Sequence, residues 1–508
     1  MAALLMSDRV AVIGAGAMGR GIAAVAAQAG HEVYLFDMNA DAAHAAPALI
    51  GGEWQGLVKR GKWTQDALDA AVARIHPVTQ LTELADAALV VEAIVEQAEP
   101  KQALFRELET LLSERAILAS NTSSISITLL ARGLSRPERF AGLHFFNPAT
   151  RMKLVEVIHG LATDPAVIDT LVETVQAWDK LPVRAQSTPG FIVNRVARPY
   201  YAEGLRILNE RAAAPETIDA VLREAVGFPM GPFELMDLIG HDVNYAVTSS
   251  VFAAMYQDDR FQPSLIQLER VAAGWLGRKT GRGFYDYREG SQRPAPHTEP
   301  AYARPVRVKV VGELGALEAL VTRLAAAEVI IDREPSATAA YFELAGGLRL
   351  ALSDGRTATA RAAETGHADW ALLDVALDYA TAPRVAITVA DQAAEGSADL
   401  VAGLLQAAGI AVSRVDDIAG LVVLRTLSML ANEAADTVLQ GIANAHDVDM
   451  AMRYGTNYPI GPLAWADRFG VERVCAALDA LYRHYGESRY RVSPLIRRLS
   501  TTGGTFHD

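Results

Sequence analysis

The residues most able to carry out chemistry are a histidine and a glutamate within LHFFNPATRMKLVEVI, from Leu143 to Ile158. Glu156 has apolar neighbours on both sides, and burying a carboxylate is unfavourable unless a partner or a proton-transfer role compensates. His144 lies 12 residues earlier (156 − 144 = 12). We expect a hairpin-like return to join the two side chains, so that the carboxylate orients the imidazole and one ring nitrogen stays free to take a proton. The alternative is a core histidine that a carboxylate satisfies without catalysis.

A glycine-rich turn near the start of the chain predicts a phosphate-binding loop. The run VAVI reads as a strand, and GAGAMGRGIAAVAAQAG continues it as a turn and a small-residue helix. This is the context in which G-x-G-x-x-G binds a dinucleotide, because the turn is tight and the helix start offers free N–H groups. The predicted cofactor contacts here are Gly14, Ala15, Gly16, Ala17, Met18 and Gly19.

An aspartate at the end of the next predicted strand, HEVYLFD, indicates which dinucleotide binds. Asp37 lies 21 residues after Gly16 (37 − 16 = 21). A carboxylate at this point accepts hydrogen bonds from the adenosine ribose and repels a 2′-phosphate, which favours NAD over NADP. A glycine-rich turn with an incidental aspartate is the alternative, and the two flanking strands argue against it.

Two further predicted strands, DAALVVEAIVE and RAILASNTSS, end in polar residues. Parallel strands deliver such residues to a ligand at their carboxyl ends, so we expect a cluster at the cofactor edge. Its members are Glu96, Lys101, Asn121 and Ser123, although each is also typical of a capping or solvated residue. Together with His144 they predict alcohol oxidation, in which a base removes the hydroxyl proton while hydride leaves for NAD.

Seven segments, taken in order, resemble the 3-hydroxyacyl-CoA dehydrogenase family over roughly residues 7 to 287. They are GAGAMGRGIA, VVEAIVE, SNTSSISIT, RFAGLHFFNPATRMKLVEVI, TPGFIVNRVARPYYAEG, FPMGPFELMDLIG and GRKTGRGFYDY. The resemblance implies NAD-dependent oxidation of (3S)-3-hydroxyacyl-CoA to 3-ketoacyl-CoA. It assigns His144 as catalytic base, Glu156 as its orienting carboxylate, and Ser123 and Asn194 as catalytic groups that bind the substrate oxygen.

The same resemblance implies further contacts with the cofactor and the substrate. Glu96, Lys101, Ser123 and Lys279 are expected to contact NAD. The basic segment LVKRGKW suits the phosphates of coenzyme A through Lys59 and Lys62, and a solvated turn explains it equally well. The substrate is left open between a 3-hydroxyadipyl thioester of phenylacetate catabolism and a 3-hydroxybutyryl thioester of fatty acid beta-oxidation. Candidates for recognising a distal carboxylate are Arg151, Arg198 and Arg206.

The second half of the chain repeats part of the first without its chemistry. GFIVNR, from Gly190, recurs as GLVVLR from Gly420, an offset of 230 (420 − 190 = 230), and Asn194 corresponds to Leu424. Ahead of this copy, VRVKVVGELGALEALV resembles a dinucleotide opening that has lost the three-glycine pattern. We therefore predict that this α/β unit binds no NAD, and that the second helical domain substitutes for a dimer partner.

The predicted fold is a Rossmann-type α/β domain, an all-α domain, a degenerate small α/β unit and a second all-α copy. The domain boundaries that we predict are 1–187 for NAD binding, 188–287 for the helical substrate and dimerisation domain, 288–305 for a linker, 306–412 for the degenerate unit and 413–508 for the second helical domain. The assembly is then either a homodimer or an internal pseudo-dimer.

Composition limits the other classes of function. The 508 residues carry a net charge of −13, which gives no general attraction to nucleic acid or anionic lipid. The single cysteine, Cys475, fits a reducing compartment, and the opening residues resemble no leader peptide, so we expect a cytoplasmic protein without a metal. Two alternatives stay open: another NAD-dependent hydroxy-acid dehydrogenase, and a non-enzymatic, crystallin-like NAD-binding protein.

Overall fold

Two sheets, each followed by a group of helices, make up the protein. The computed structural model describes residues 3–336 and 338–507. The order of its elements confirms the predicted fold class, a Rossmann-type domain and helices followed by a smaller sheet and further helices. Within the two described ranges, no helix combines the length and the apolar character that crossing a membrane requires.

The first sheet has eight strands in the order β3-β2-β1-β4-β5-β6-β7-β8. The neighbours are parallel except β6 and β7, which pair antiparallel. Apolar, largely β-branched sequences bury both faces of the central strands, as a sheet covered by helices on both sides requires. The strands are β1 Arg9–Ile13, β2 Val33–Phe36, β3 Ile75–Val78, β4 Ala87–Glu92, β5 Ile117–Ser120, β6 Phe140–Phe145, β7 Leu154–His159 and β8 Leu181–Gln186.

Helices connect these strands and cover the sheet. The first of them can approach the sheet closely because Gly19 faces the turn: a Cβ there would lie 1.7 Å from the carbonyl oxygen of Gly14. The helices are α1 Ala17–Gln28, α2 Ala40–Lys59, α3 Gln65–Ala73, α4 Ala98–Leu111, α5 Ile127–Leu130, α6 Pro165–Ala177 and α7 Val193–Val196.

Strand β3 is an element that the sequence patterns do not reveal. Its four residues, IHPV, contain Pro77, which lacks the N–H that a central strand must donate. The strand pairs on one side only, with β2, and lies at the edge of the sheet. An edge is where proline is tolerated, so position rather than composition makes this segment a strand.

The first group of helices follows the Rossmann sheet. Asp237, buried among these helices, accepts the backbone N–H groups of Phe284 and Tyr285, both at 2.9 Å. Its counterpart Asp467 accepts the N–H of Phe506 at 2.8 Å in the same way. Phe284 ends the segment TGRGF and Phe506 ends TGGTF, so these two segments are a further repeat. The helices are α8 Arg198–Asn209, α9 Pro215–Val226, α10 Pro232–Ile239, α11 His241–Ala254 and α12 Leu265–Ala272.

The second sheet has seven strands in the order β10-β9-β11-β12-β13-β14-β15. Strand β11 is antiparallel to both of its neighbours, whereas β1 and β4 pair directly and in parallel in the first sheet. The strands are β9 Arg307–Val311, β10 Ile330–Glu334, β11 Tyr341–Glu343, β12 Arg349–Leu352, β13 Trp370–Leu373, β14 Arg384–Val389 and β15 Ala411–Arg414. Its helices are α13 Glu318–Ala326, α14 Ala358–Thr365 and α15 Ser397–Ala407.

Helix α16 of the second group of helices packs on the first group. Helix α16 lies against α8, and the guanidinium Nε of Arg425 on α16 donates to the Glu203 carboxylate on α8 at 2.7 Å, with both side chains buried. The charge of Arg425 helps hold the pKa of Glu203 below its ordinary value although burial raises it. The helices are α16 Val423–Leu439, α17 Ala445–Gly455, α18 Pro462–Phe469, α19 Val471–Tyr485 and α20 Pro494–Thr502.

Two equivalent helices are exchanged between the copies. The chain divides into one unit of residues 1–195 with 440–456, and another of residues 196–439 with 457–508. In the first unit α17 packs on β7 and β8, and in the second unit α9 packs on β14. The backbone N–H of Gln186 donates to Ile442 at 2.9 Å, and that of Asp416 donates to Ala212 at 3.0 Å. The two bonds join equivalent positions with the copies interchanged, since both residue offsets are 230 (416 − 186 and 442 − 212). The first sheet therefore carries α17 of the second copy, and the second sheet carries α9 of the first copy.

Truncation after Tyr287 should therefore convert the protein into a self-associating fragment. The fragment loses α17, whose Gly455 lies against Leu154 and Val193, and it exposes those apolar side chains. Helix α9 of a second fragment is the equivalent element and can cover them. We expect sedimentation velocity to show a concentration-dependent dimer, with the full chain as control. A monomeric fragment with the melting temperature of the full chain would contradict this expectation.

Candidate active site

The predicted histidine and glutamate lie opposite each other on adjacent strands. His144 on β6 pairs with Glu156 on β7 in the antiparallel register, and the imidazole Nδ1 lies 2.7 Å from the carboxylate Oε2. Glu156 is 0% exposed and His144 is 6% exposed. Because a carboxylate only accepts hydrogen bonds, Nδ1 carries the proton and Nε2 keeps its lone pair. The pair therefore presents an unprotonated ring nitrogen that can accept a proton.

The second oxygen of the glutamate binds the start of helix α7. Oε1 of Glu156 accepts the backbone N–H groups of Ile192 and Val193, both at 3.0 Å. These groups have no partner within their own helix, so the carboxylate satisfies them while they compensate its burial. The next residue along the helix is Asn194, so one buried side chain positions both the imidazole and the predicted substrate amide.

Asn194 and Ser123 are in direct contact. The Asn194 Nδ2 group donates to the backbone carbonyl of Ser123 at 3.3 Å. The Ser123 hydroxyl donates in turn to Oε1 of Glu96 at 3.3 Å, and its backbone N–H donates to the same oxygen at 2.8 Å. Ser123, His144, Glu156 and Asn194 thus belong to one connected set of groups within the first unit.

A buried ion pair anchors Glu96. The ammonium of Lys101, 1% exposed, lies 2.6 Å from Oε1 of Glu92 and 3.3 Å from Oε2 of Glu96. Although burial raises the pKa of Glu96, the hydrogen bond from Thr122 and the charge of Lys101 bring it below the ordinary value. Sequence reasoning missed Glu92, whose signal is a carboxylate closing the buried strand LVVE. The predicted contacts of Glu96 and Lys101 with NAD stay predictions.

The glycine-rich turn has the shape that a pyrophosphate requires. Gly16 is the N-cap residue of α1 and is exposed. A Cβ added at Gly16 would meet no atom within 4 Å. No side chain caps the helix at this residue and its first turn contains no acidic group, so its N–H groups face open space. These are the features with which a helix start binds a phosphate. The predicted contacts from Gly14 to Gly19 therefore share one cradle.

Asp37 follows β2 directly beside this cradle. Its Oδ2 accepts the backbone N–H of Ala15 at 2.6 Å, and its Oδ1 accepts that of Asn39 at 2.8 Å. Each carboxylate oxygen can accept a second hydrogen bond, so the ribose hydroxyls still find an acceptor there. The residues present fit an NAD molecule, with the pyrophosphate at the helix start and the ribose at Asp37.

The remaining predicted contacts are placed differently. Asn121 binds the end of strand β6, since its side-chain oxygen accepts the backbone N–H of Phe145 at 2.8 Å. Lys59 ends α2 and Lys62 follows it, both exposed. Lys279 belongs to the second unit and binds Asp242 at 2.6 Å and 2.7 Å, which lowers the pKa of that carboxyl. The roles of these lysines stay predictions.

The second sheet carries an alanine and an aspartate where the first carries the glutamate and the histidine. In the first sheet Glu156 on β7 pairs with Val183 on β8, and in the second sheet Ala386 on β14 pairs with Ser413 on β15. Ser413 lies 230 residues after Val183 (413 − 183 = 230), which is the offset of the repeat. Ala386 therefore corresponds to Glu156. Opposite Ala386 lies Asp374, whose backbone N–H donates to the Ala386 carbonyl at 2.9 Å. The aspartate thus occupies the register position of His144.

Asp374 binds the equivalent helix start without an imidazole. Its carboxylate accepts the N–H groups of Val422, Val423 and Leu424 at 2.9, 2.7 and 3.1 Å. Burial raises its pKa to about 6, against the opposite effect of these donors. The structural function of the carboxylate is retained in the second copy, while the acid–base pair is absent.

In the part of the chain that the structure describes, no group of three or more histidine, cysteine, aspartate or glutamate side chains is arranged to hold a metal ion.

Family models match most of the chain. Residues 9–188 match the 3-hydroxyacyl-CoA dehydrogenase NAD binding domain, and residues 190–287 and 420–505 match the C-terminal domain of the same family. Residues 350–418 match the 3-hydroxybutyryl-CoA dehydrogenase reduced Rossmann-fold domain. The two C-terminal matches correspond to the repeated helical segments.

Several characterised relatives are similar over their whole length. A 3-hydroxyadipyl-CoA dehydrogenase of Escherichia coli is 44% identical over 489 residues, 96% of either chain. A 3-hydroxybutyryl-CoA dehydrogenase of Bradyrhizobium diazoefficiens is 43% identical over 58% of this chain and 99% of its own. The crystal structure of a 3-hydroxybutyryl-CoA dehydrogenase from Escherichia coli K12 superposes with a TM-score of 0.89 at 43% identity, covering 98% of this chain and 99% of that one.

Replacing Asp37 by alanine should weaken the binding of NADH by about tenfold, because two ribose hydroxyls lose a charged acceptor. The affinity for NADPH should rise relative to that for NADH, since the carboxylate no longer repels the 2′-phosphate. Fluorescence titration with both nucleotides measures the ratio. Asp41→Ala, an exposed aspartate at the start of α2, is the matched control. An unchanged ratio of affinities in Asp37→Ala would contradict the assignment.

Proposed function

Because the chain belongs to the 3-hydroxyacyl-CoA dehydrogenase family, we propose that His144 and Glu156 are the acid–base pair with which it works. The protein catalyses NAD-dependent oxidation of 3-hydroxyacyl-CoA, and NAD is its cofactor. The observation that carries the proposal is the 2.7 Å contact between imidazole Nδ1 and the buried carboxylate. It leaves Nε2 as the group that removes the proton of the 3-hydroxyl.

NAD held at the glycine-rich turn and Asp37 would supply the hydride acceptor for the carbinol carbon, and the side chains provide the rest. Nε2 of His144 takes the hydroxyl proton, and Glu156 stabilises the imidazolium that forms. Ser123 and Asn194 donate to the substrate oxygen and hold it in reach of the imidazole. Their contact through the Ser123 carbonyl keeps the two donors together. The rings of Phe146 and Phe191, 4.5 Å and 6.1 Å from the imidazole ring, limit its movement.

A purely structural, non-enzymatic function is less well supported. The second copy caps its helix with Asp374 alone, so this fold needs a carboxylate at that point and no histidine. His144 is therefore an addition that stability does not require. A retained imidazole with a free nitrogen, beside a phosphate cradle, favours an enzyme.

For the substrate we infer a short 3-hydroxyacyl-CoA, either the 3-hydroxybutyryl or the 3-hydroxyadipyl thioester, on the names of the similar proteins. Two of the candidate arginines are engaged: Arg206 pairs with Glu203, and Arg198 is buried and donates to Thr248 at 3.1 Å. Arg151 is exposed on the connection between β6 and β7, in the unit that contains the dyad. We assign Arg151 to the distal carboxylate and Lys59 and Lys62 to the coenzyme A phosphates. Cytoplasmic location stays a prediction.

Replacing His144 by alanine should lower kcat by roughly 10²-fold or more, because the positioned base is lost. NADH binding should be unchanged, since the imidazole lies outside the phosphate cradle. Stopped-flow measurement of NADH formation gives the rate of the chemical step, and His44→Ala, an exposed histidine on α2, is the control. A variant that retains the wild-type rate with intact NADH binding would refute the acid–base role.

A kcat/KM series over 3-hydroxybutyryl, long-chain and 3-hydroxyadipyl thioesters should favour the short and dicarboxylic substrates. Arg151→Ala should reduce kcat/KM about tenfold for the dicarboxylic thioester alone, through loss of one charged hydrogen bond. The exposed Arg115→Ala serves as the matched variant. Equal losses on the butyryl and adipyl substrates would exclude Arg151, and faster turnover of free hydroxy acids would favour the alternative dehydrogenase.

A further inference from the structure

The second sheet keeps a crevice at the place that corresponds to the active site. A cavity of about 580 Å³ lies beside the carboxyl ends of β9 and β12, entirely within the second unit. Its lining includes Leu424, the counterpart of Asn194, together with residues that follow the two strands. Carboxyl ends of parallel strands are where open α/β sheets bind ligands. The cavity is therefore the equivalent of the catalytic crevice in a copy without the catalytic pair.

The lining of this second crevice excludes a dinucleotide. Gly312 aligns with Gly14, so Glu313, Leu314 and Leu317 stand where the first copy has Ala15, Gly16 and Gly19. Both leucines are buried, and Leu314 puts a side chain at the position where Gly16 leaves open space in the first copy. Glu313 adds a negative charge to the same turn. A ligand of this cavity has to bind through other groups.

Arginines supply those groups. The lining contains Arg349, Arg356, Arg361 and Arg473 against two carboxylates, Glu313 and Asp354, in a protein whose overall charge is −13. Arg356 is fully engaged, since it binds both Asp354 and Glu364. Arg361 also lies 3.6 Å from Asp354, so the excess positive charge is mainly that of Arg349 and Arg473. It favours an anion in the cavity.

Two of these guanidinium groups lie over aromatic rings. Arg349 lies over the rings of Tyr341 and Trp370, at 5.0 Å and 5.7 Å, and Arg361 lies over Trp370 at 4.3 Å. The buried Nε–H group of Arg349 donates to no acceptor among the described residues. The Nη1 group of Arg361 donates to the Leu352 carbonyl at 3.3 Å and lies 3.6 Å from Oδ2 of Asp354, and burial lowers the pKa of this guanidinium. Stacking fixes a guanidinium plane and leaves its N–H edge free for an oxyanion.

A buried hydroxyl completes the arrangement. Ser353, which follows β12 and lines the cavity, is 2% exposed, and its Oγ has no partner among the described residues. An unsatisfied buried hydroxyl is unfavourable, and a bound acceptor removes that cost. Arg473 reaches the cavity from α19 and is exposed.

We propose that this second crevice is a binding site for a small organic oxyanion, a carboxylate or a phosphate ester, with Arg349, Arg361, Arg473 and Ser353 as its donors. The site is separate from the catalytic crevice and does not depend on the proposed reaction. Its ligand is smaller than a dinucleotide, because the turn after β9 is closed by leucine side chains. The degenerate copy has exchanged a cofactor site for an anion site.

The test is isothermal titration calorimetry of the full chain with inorganic phosphate and, separately, with succinate, in Tris chloride containing saturating NADH. We expect saturable binding of at least one probe at one site per chain, and the better probe identifies a phosphate or a carboxylate ligand. Arg349→Met and Arg473→Ala should each weaken binding by at least ~10-fold, as the loss of a charged hydrogen bond predicts. Arg307→Met, an exposed arginine of the same sheet, should bind like wild type.

Arg473→Ala decides the result if Arg349→Met fails to fold, because the Arg473 side chain is exposed and its removal leaves the core unchanged. Circular dichroism and the melting temperature establish the fold of each variant. Absence of saturable binding of both probes up to on the order of 10 mM would overturn the proposal, since such an affinity has no functional use. Equal affinities of wild type and Arg473→Ala would overturn it as well, because the bound anion would then lie elsewhere.

Discussion

The buried Glu156 carboxylate is the constraint on which the site depends. It accepts one hydrogen bond from the imidazole and two from the start of α7, so three donors compensate its burial. Leaving a buried charge short of partners costs several kcal/mol, which is comparable to the whole stability of many domains. The same bonds fix the position of the imidazole and the start of α7. A one-residue slip of β7 against β6 would turn the carboxylate to the other face and break all three.

The duplicated half separates the structural function of this carboxylate from its chemical one. Asp374 caps the equivalent helix from the strand opposite, at the histidine position, and Ala386 replaces the glutamate. The Asp374 carboxylate reaches the helix N–H groups directly, as Glu156 does from the neighbouring strand in the first copy. The interaction that stabilises the fold is thus retained, and no imidazole lies beside it among the described residues of the second copy. Exchange of α9 and α17 between the two copies ties the inactive half to the stability of the active one.

The residues that form the candidate site were predictable because they follow local patterns. A glutamate among apolar residues indicates a nearby partner for its charge, and a glycine-rich turn between strand and helix indicates a phosphate site. Both patterns lie within a short stretch of chain. The register of His144 with Glu156 was not, because the connection of residues 146–153 does not determine it. Glu92, strand β3 and the exchange of α9 with α17 were also missed. Each depends on which distant segment lies alongside, and a single sequence does not record that.

The polar network beside the dyad indicates how a substrate is accommodated. Oε1 of Glu96 accepts Thr122 Oγ1 at 2.7 Å and the Ser123 N–H at 2.8 Å, whereas the Ser123 hydroxyl lies at 3.3 Å. The hydroxyl makes the longest and weakest of these contacts. Glu96 stays satisfied by its shorter bonds and by Lys101 when that hydroxyl turns away. The serine hydroxyl can therefore turn toward a substrate oxygen while the partly exposed Glu96 carboxylate keeps its other partners.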